Sequence, residues 1–574
     1  MGGDKMKLSE PLLAEKIIAV AAEGDQEEEE EEEEGQEHLD WLGRPISPSL
    51  CSSYDGWPTA AFLLGSHCLQ SVAISGCTVN LVIFLVKKMQ QSNASAANVI
   101  TNWIGTTFLT SILGGASGDA YWGCLWTSVF CQVLFVVVNM LHCRNSANIS
   151  SCTALYTMGV GTASLAPNAV SLGADQFDSP KQTSTFISMS IAASSMGFMF
   201  STSIISYIEN EERWRLGFWL SAGSGILSLI MLLAGTPLMR QHKAGENPFA
   251  SIAQVLYAAI RSHKRSKFTF QNRREATFVP EPTASGELNN CLQSSNSGQH
   301  RHIGKAELLS RQATASKKHR ECTIEQVKTV KTIIRLLPFW VCGILVASVL
   351  VQKGTLFVLQ GDTMEKQTWG GMKFPPASMG LFRLAMVVMG APAYTMLVEP
   401  CANRYTREKL SIGRMGAGLV VAIAMFCVAA VVEARRLRIA HLRGADDKME
   451  VPMSIFWLAL QYMLEGLTTV LYTCGHMEFS YMYAPQGMRS LATAISLSGY
   501  ALGNYLSSFL VASFTSWITR DSNEGHLDYF YWLLAALLLL DLLLFVAAAK
   551  WVLSSSETLC LQGHPESHAP NGVA

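Results

Sequence analysis

The sequence predicts an all-α, polytopic membrane protein with twelve transmembrane helices in two six-helix halves. Its 574 residues are 49% apolar and 15% charged, with a mean hydropathy of +0.22, whereas soluble domains carry about a quarter charged residues. Apolar runs of about 20 residues separated by short polar breaks suit helices crossing a hydrocarbon core of ~30 Å. These runs form two sets, Trp57 to Pro237 and Val330 to Trp551, on either side of a basic hydrophilic stretch from Met239 to Gln326. Hydrocarbon offers no partners to unpaired backbone groups, which selects helices over open sheets.

The expected spans are 57–86, 94–117, 125–142, 152–172, 185–207 and 215–237, then 330–352, 374–398, 409–434, 452–475, 487–515 and 528–550. Residues 1–56 form an acidic tail, 57–238 and 330–552 the two halves, 239–329 a linker and 553–574 a second tail. The basic start is followed by the acidic run Glu27 to Glu34, with no apolar core before Trp57, so no signal peptide is read. The acidic run reads as solvated and disordered.

Lys and Arg bias sets the orientation. Arg240, Lys243, Arg261, Lys264, Arg265, Lys267, Arg273 and Arg274 lie in the linker, and Arg404, Arg407, Lys409 and Arg414 between spans eight and nine. Both segments are assigned to the cytoplasm, and both termini follow. Asn93-Ala-Ser and Asn148-Ile-Ser then lie in outward loops, consistent with glycosylation. Arg435, Arg436, Arg438 and Arg443 break the bias: either they weaken this topology or, in the preferred reading, span nine continues as a helix beyond the membrane.

Within the linker, Phe249, Ile252, Leu256 and Ile260 recur at helical spacing after Asn247-Pro248 and predict an amphipathic helix on the membrane face. Lys264 to Ala315 is polar and reads as disordered. Thr323-Ile-Glu-Gln326 has capping-box chemistry for the helix entering span seven. The 14 Cys are scattered and the His residues show no ligand spacing, so neither a metal site nor a cofactor is expected. A Walker loop is missing, which argues against an ATP-driven pump. No enzyme chemistry or nucleic-acid partner is expected. Two sets of six spans suit a carrier that rocks its halves around a central site; the bilayer is its environment, and oligomeric state stays open.

Several strings carry a family resemblance. Gly115-Ala-Ser-Gly-Asp119-Ala-Tyr-Trp-Gly123 resembles the Gly-x-x-x-Asp-x-x-x-Gly motif of the major facilitator superfamily, which implies that fold. Asn80-Leu-Val, Ala96-Ala-Asn-Val, Leu172-Gly-Ala-Asp-Gln-Phe-Asp178, Phe374-Pro-Pro-Ala-Ser-Met379, Glu399-Pro-Cys-Ala-Asn403 and Gly525 before Phe530-Tyr-Trp together resemble the plant nitrate and peptide transporter family, a branch of the proton-dependent oligopeptide transporters. The match covers nearly all of 55–552. Leu85 through Gln91-Ser-Asn, with Gly217-Phe-Trp-Leu-Ser-Ala-Gly, look most like the subfamily of xylem nitrate loaders and unloaders.

Departures from the family pattern bear on mechanism. Relatives usually carry Glu-x-x-Glu-Arg on the first helix for proton coupling; this chain has His67-Cys-Leu-Gln70-Ser71. Positions i, i+3 and i+4 still share a face, either lining a hydrated cavity or merely packed. Ala166 stands where many relatives have Lys, Leu350 where one branch has a nitrate-binding His, and Thr469 where Glu is usual. His67 is either a replacement proton relay or a hydrogen-bonded structural residue.

Charges inside a bilayer are costly and should face the bundle interior. Arg383, Glu465 and Asp541 are such charges, and Glu465 shares a helix face with Thr469 one turn on. In one reading Arg383 receives an anion such as nitrate while Glu465 balances it in the empty carrier; in the other, Arg383 forms a permanent ion pair with Glu465 or Asp541. Gln352 and Asn504 are further donors for the cavity. Resemblance gives Gly115, Asp119 and Gly123 a gating role, with Cys124 in place of the customary Arg. Asp175 and Asp178 read as helix caps. The expected activity is secondary transport of nitrate or a related small ion with weakened or altered proton coupling, at the plasma membrane rather than the vacuolar membrane. A carrier of peptides, hormones or other organic solutes, and a non-transporting sensor, are the alternatives.

Overall fold

A computed structural model describes residues 38–46, 56–78, 81, 84–85, 90, 93–144, 151–211, 213–242, 249–255, 257, 324–366, 375–398, 400, 407–443, 451–485, 487–514, 516–518 and 525–562. The acidic run, the sequon at Asn148, Thr323 and the polar stretch 264–315 lie outside them. Asn93 opens a helix.

The chain is a bundle of long helices. The first group is α1 (Gly56–Thr78), α2 (Asn93–Ser117), α3 (Gly123–Arg144), α4 (Ser151–Ala174), α5 (Pro180–Phe200) and α6 (Trp214–Gly235). Then come α7 (Ile324–Leu350), α8 (Lys353–Asp362), α9 (Gly380–Ala393), α10 (Arg407–Arg443), α11 (Ala459–Thr468), α12 (Cys474–Tyr483), α13 (Arg489–Ser513) and α14 (Leu527–Gln562). Among the described residues, eight helical stretches are long and apolar enough to cross a membrane. One of them, Asn102–Leu141, joins α2 to α3 through a π turn, Gly118–Trp122. It is a hairpin, because Gly123 takes φ +76° and reverses the chain.

Close contacts fix the helix directions. α2 runs alongside α4, with Gly114 against Ser164 and Gly118 against Asn168, while α1 runs alongside α3, with Gln70 against Gln132 and Cys77 against Asn139. α2 and α13 cross antiparallel, with Gly115 on Ser490 and Gly105 on Tyr505. Gly115 has no alternative there, since a Cβ would sit 2.6 Å from the Ser490 carbonyl oxygen.

The apolar faces make separate cores. Phe339, Phe357, Phe426, Phe530 and Leu538 fill one among α7, α8, α10 and α14; Phe84, Trp103, Phe135 and Phe218 fill another among the first helices. Short strands close the two ends. β1 (His38–Leu39) pairs antiparallel with β2 (Gln241–His242), and β3 (Met364–Glu365) pairs parallel with β4 (Val451–Ser454).

α10 is 37 residues long, about 55 Å at 1.5 Å per residue, so it outruns a ~30 Å core, as the Arg-rich end of span nine predicts. There Arg436 is buried against Glu433 at 2.6 Å, and Arg435 covers the Trp457 ring at 4.7 Å. Arg414, read from the sequence as a loop cation, is instead buried inside α10. The tenth rod also departs from expectation: it runs on through α12 to Tyr483, eight residues past the expected end at 475. His476, Glu478 and Ser480, beyond the expected end, are buried between neighbouring helices. Residues 249–255 are helical, with Val255 and Ile252 packed on Val330 and Ile334 of α7; of the expected apolar stripe, Phe249 is exposed, and Leu256 and Ile260 lie outside the described residues.

Candidate functional site

α1 presents Leu63, Ser66, His67, Gln70, Ser71, Ile74 and Thr78 to a cavity of about 440 Å³. Three- and four-residue spacing places these side chains on successive turns of one face. Trp103, Thr107 and Ser111 of α2, Gln132 of α3, Thr162 and Ala166 of α4, Ser194 and Phe198 of α5, and Leu497 of α13 complete much of the wall. No Asp, Glu, Lys or Arg lines this cavity among the described residues.

The string His67 to Ser71 belongs to a neutral network. Gln132 Nε2 donates to Gln70 Oε1 at 3.2 Å and to Ser228 Oγ at 2.5 Å, and Ser228 Oγ donates to the Ser66 carbonyl at 2.7 Å. Ser71 Oγ lies 3.1 Å from Ser194 Oγ, and His67 Nδ1 lies 3.5 Å from Ser190 Oγ. Amides and hydroxyls thus tie α1 to α3, α5 and α6 without a buried charge, whose desolvation would be expensive. Gln70 Nε2 is left with no hydrogen-bond partner, a donor at the cavity wall.

Arg383 and Glu465 form an ion pair at 3.1 Å between α9 and α11, with side-chain exposures of 30% and 2%. α11 can come this close because residue 466 is glycine: a Cβ there would lie 2.6 Å from the Arg383 carbonyl oxygen. Thr469 Oγ1 donates to the Glu465 carbonyl at 3.1 Å and opens a π turn, Thr469–Thr473. Gln352 Nε2 donates to the Ser507 carbonyl at 2.9 Å, and Asn504 Nδ2 to the Tyr500 carbonyl at 2.7 Å. Leu350 is packed in the core of the later helices. Asp541 is fully buried on α14. The structure therefore gathers His67, Gln70, Ser71 and Ala166 around one cavity, pairs Arg383 with Glu465 elsewhere, and leaves Gln352, Thr469, Asn504 and Asp541 outside the cavity wall.

At one end of the bundle, Asp119 joins the two groups of helices. Oδ1 accepts from the Ser490 amide at 3.2 Å and Oδ2 from the Leu491 amide at 2.7 Å, so the carboxylate caps the start of α13. Amides in a first helical turn have no intrahelical acceptor, and the helix dipole favours an anion there. Cys124 Sγ lies 3.1 Å from Ser490 Oγ. Loss of the customary Arg has thus not left Asp119 idle; backbone amides hold it.

The same end contains residues that the sequence reading assigned differently or passed over. Asp175 is not a helix cap. Its Oδ1 accepts from Arg489 Nη1 at 2.8 Å and from Tyr481 Oη at 2.5 Å, with His242 Nε2 3.8 Å away. Asp178 pairs with Arg240, and Gln176 Nε2 donates to the Arg240 carbonyl at 2.8 Å. Deeper in, Arg414 pairs with Glu478 at 3.0 Å, donates to Ser188 Oγ at 3.1 Å and covers the Tyr394 ring at 3.9 Å. Only the position of Arg414 and Glu478 within apolar runs could have singled them out in the sequence.

A bundle of long apolar helices around a largely apolar cavity lined by a few amides and hydroxyls defines a multi-pass membrane protein. The profile of the POT family (PTR2) matches residues 128–529. Protein NRT1/PTR FAMILY 7.3 of Arabidopsis thaliana is 33% identical over 560 residues, covering 89% of this chain and 90% of that protein. Protein NRT1/PTR FAMILY 8.3 of the same plant is also 33% identical, over 88% of this chain and 93% of its own. The crystal structure of the POT family transporter PepTSo aligns with a TM-score of 0.60 at 17% identity, covering 87% of this chain and 98% of that one. The chain belongs to the POT family, and its curated relatives place it with the plant NRT1/PTR proteins.

Proposed function

We propose that the chain is a secondary carrier of the major facilitator type, with twelve spans in two six-helix halves and both termini in the cytoplasm of a plant cell. It works by alternating access and carries a small organic solute without net charge. The cavity of about 440 Å³, with no Asp, Glu, Lys or Arg in its wall among the described residues, carries this reading. It lies within the ~300–1,000 Å³ typical of small-molecule sites and would hold about 15 waters at ~30 Å³ each, far more room than a four-atom anion fills. Trp103, Phe108 and Phe198 offer apolar surface, while Gln70, Gln132, Ser71 and Thr107 offer directional hydrogen bonds. With no carboxylate or guanidinium on α1, coupling to protons at this cavity is weakened or altered. Asp119 and Asp175 form the cytoplasmic gate, and the plasma membrane is the proposed location.

Nitrate remains the second reading, favoured by the partial exposure of Arg383 beside Glu465. Uptake by proteoliposomes decides between the two, using labelled nitrate and a panel of neutral dipeptides and other small organic solutes. The first reading predicts saturable uptake of an organic solute, undisturbed by excess nitrate and by R383Q. Saturable nitrate uptake that R383Q abolishes in folded protein would overturn it in favour of the anion.

A further inference from the structure

We propose that Asp541 is a proton-binding site of the carrier, reached through Tyr472 and His476 from a small cavity between α7, α12 and α13. The inference rests on the carrier reading for its role in transport, but not for the binding of the proton itself.

Asp541 has no exposed surface, and beyond the weakly bonding Cys342 thiol its carboxyl oxygens have no hydrogen-bond partner among the described residues. An ionised carboxylate in such a place would be unpaired and costly; a protonated one is neutral. Its titratable neighbours are the Cys342 thiol of α7 and the Tyr472 phenol of the π turn. Tyr472 Oη is likewise buried with no partner. The His476 ring stacks on that of Tyr472, with centroids 5.8 Å apart and planes at 17°.

Gly343, next to Cys342, keeps the space between phenol and imidazole open. A methyl group there would lie 3.4 Å from His476 Cε1, 3.6 Å from Nε2 and 3.8 Å from Tyr472 Oη. His476 in turn borders a cavity of about 20 Å³ with Met488 and Leu491, at the end held by Asp119. That is room for about one water.

Other charges nearby are committed elsewhere. α10 meets α14 and the π turn here through Gly416 and Gly418, while its Arg414 pairs with Glu478 and its Arg436 with Glu433. α13 contributes Tyr500, whose hydroxyl lies 3.4 Å from Thr473 Oγ1. On α7, Arg335 is about two turns from Cys342. The transfer is a proton relay without redox change. A proton arriving from bulk as hydronium in the small cavity passes to one His476 ring nitrogen and leaves a neutral water. The other ring nitrogen releases its proton to Tyr472 Oη, and Tyr472 releases its own to an Asp541 oxygen, whose lone pair forms the new O–H bond. Each transfer requires these side chains to approach, because at rest Tyr472 Oη has no hydrogen-bond partner among the described residues and Asp541 none beyond Cys342.

Infrared difference spectroscopy of the full chain in nanodiscs, with wild type set against D541N, tests the site. The wild type should show at neutral pH the carbonyl stretch of a protonated carboxylic acid, shifted by deuterium and missing from D541N. G343A, which fits at ordinary contact distance and removes no titratable group, should keep the band and slow its deuterium shift about tenfold, a barrier of about 1.4 kcal/mol. In proteoliposomes, D541N should lose uptake driven by a pH gradient and retain solute exchange. A wild-type spectrum without the band, a band that persists in D541N, or gradient-driven uptake undiminished in D541N would each overturn the proposal. Should no solute be taken up at all while the band behaves as expected, the carrier reading fails and the proton site stands.

Discussion

Replacing Asp119 with Asn tests whether a carboxylate on backbone amides holds the closed end of the bundle. Two bonds are at stake, from the Ser490 amide at 3.2 Å and the Leu491 amide at 2.7 Å, and Asp119 is only 6% exposed. A hydrogen bond to a charged group contributes about 1.5–3 kcal/mol and is roughly twice as strong as a neutral one. Asn offers a single amide oxygen, so one bond weakens by about 1–1.5 kcal/mol while the other, now facing an N–H donor, is lost outright at about 1.5–3 kcal/mol, or about 2.5–4.5 kcal/mol in all. Hydrogen exchange read by mass spectrometry reports this directly, because neither amide has an acceptor in the first turn of its own helix. Exchange in a peptide spanning 488–495 should accelerate about 60- to 1,600-fold in D119N at 1.4 kcal/mol per decade. Peptides in the core around Phe426 and Phe530 should exchange as before, which separates opening of this end from global unfolding. Acceleration of less than about threefold at Ser490 and Leu491 would refute the cap and the energetic argument with it.

Three further outcomes follow from the geometry. G123A places a side chain at φ +76° and should cost about 1–2 kcal/mol, visible as a lower melting midpoint, whereas Ala at Gly223, where nothing approaches within 4 Å, should not. R414Q leaves Glu478 buried without its cation; with side-chain exposures of 0% and 2% for the pair the loss should reach about 3–5 kcal/mol, and a midpoint equal to wild type would contradict it. Q70E puts a carboxylate into the neutral network beside Gln132, so solute uptake should become more dependent on an imposed pH gradient; a dependence unchanged from wild type would show that residue 70 does not govern coupling.

The helices were legible in the sequence because hydrocarbon imposes one requirement on every span, and length with apolarity satisfies it. Gly115, Asp119 and Gly123 were legible as a motif, although the partner of Asp119 was not, since backbone amides leave no residue-type signature. The ends of rods were harder. The expected tenth span stopped at 475, and only packing shows His476, Glu478 and Ser480 of α12 turned inward. Asp175 was misread for another reason: Tyr481 and Arg489 lie 306 and 314 residues further along the chain, and one sequence carries no record of such meetings. At the cavity, the loss of the charged string on α1 was plain, and its neutral replacement was not. Gln132 and Ser228 sit in apolar runs at no conspicuous spacing, and their role appears only when α1, α3 and α6 are brought side by side.

Because Asp119 grips main-chain nitrogen at Ser490 and Leu491, the cap itself requires no residue type at those two positions, whose burial and contact with Cys124 constrain them separately, while it fixes the number of residues in the link between α12 and α13. Inserting or removing one residue among 484–488 would turn the first amides of α13 by about 100° and aim them away from the carboxylate. Selection at this joint should act on spacing more than on composition, tolerating substitutions where it rejects insertions and deletions.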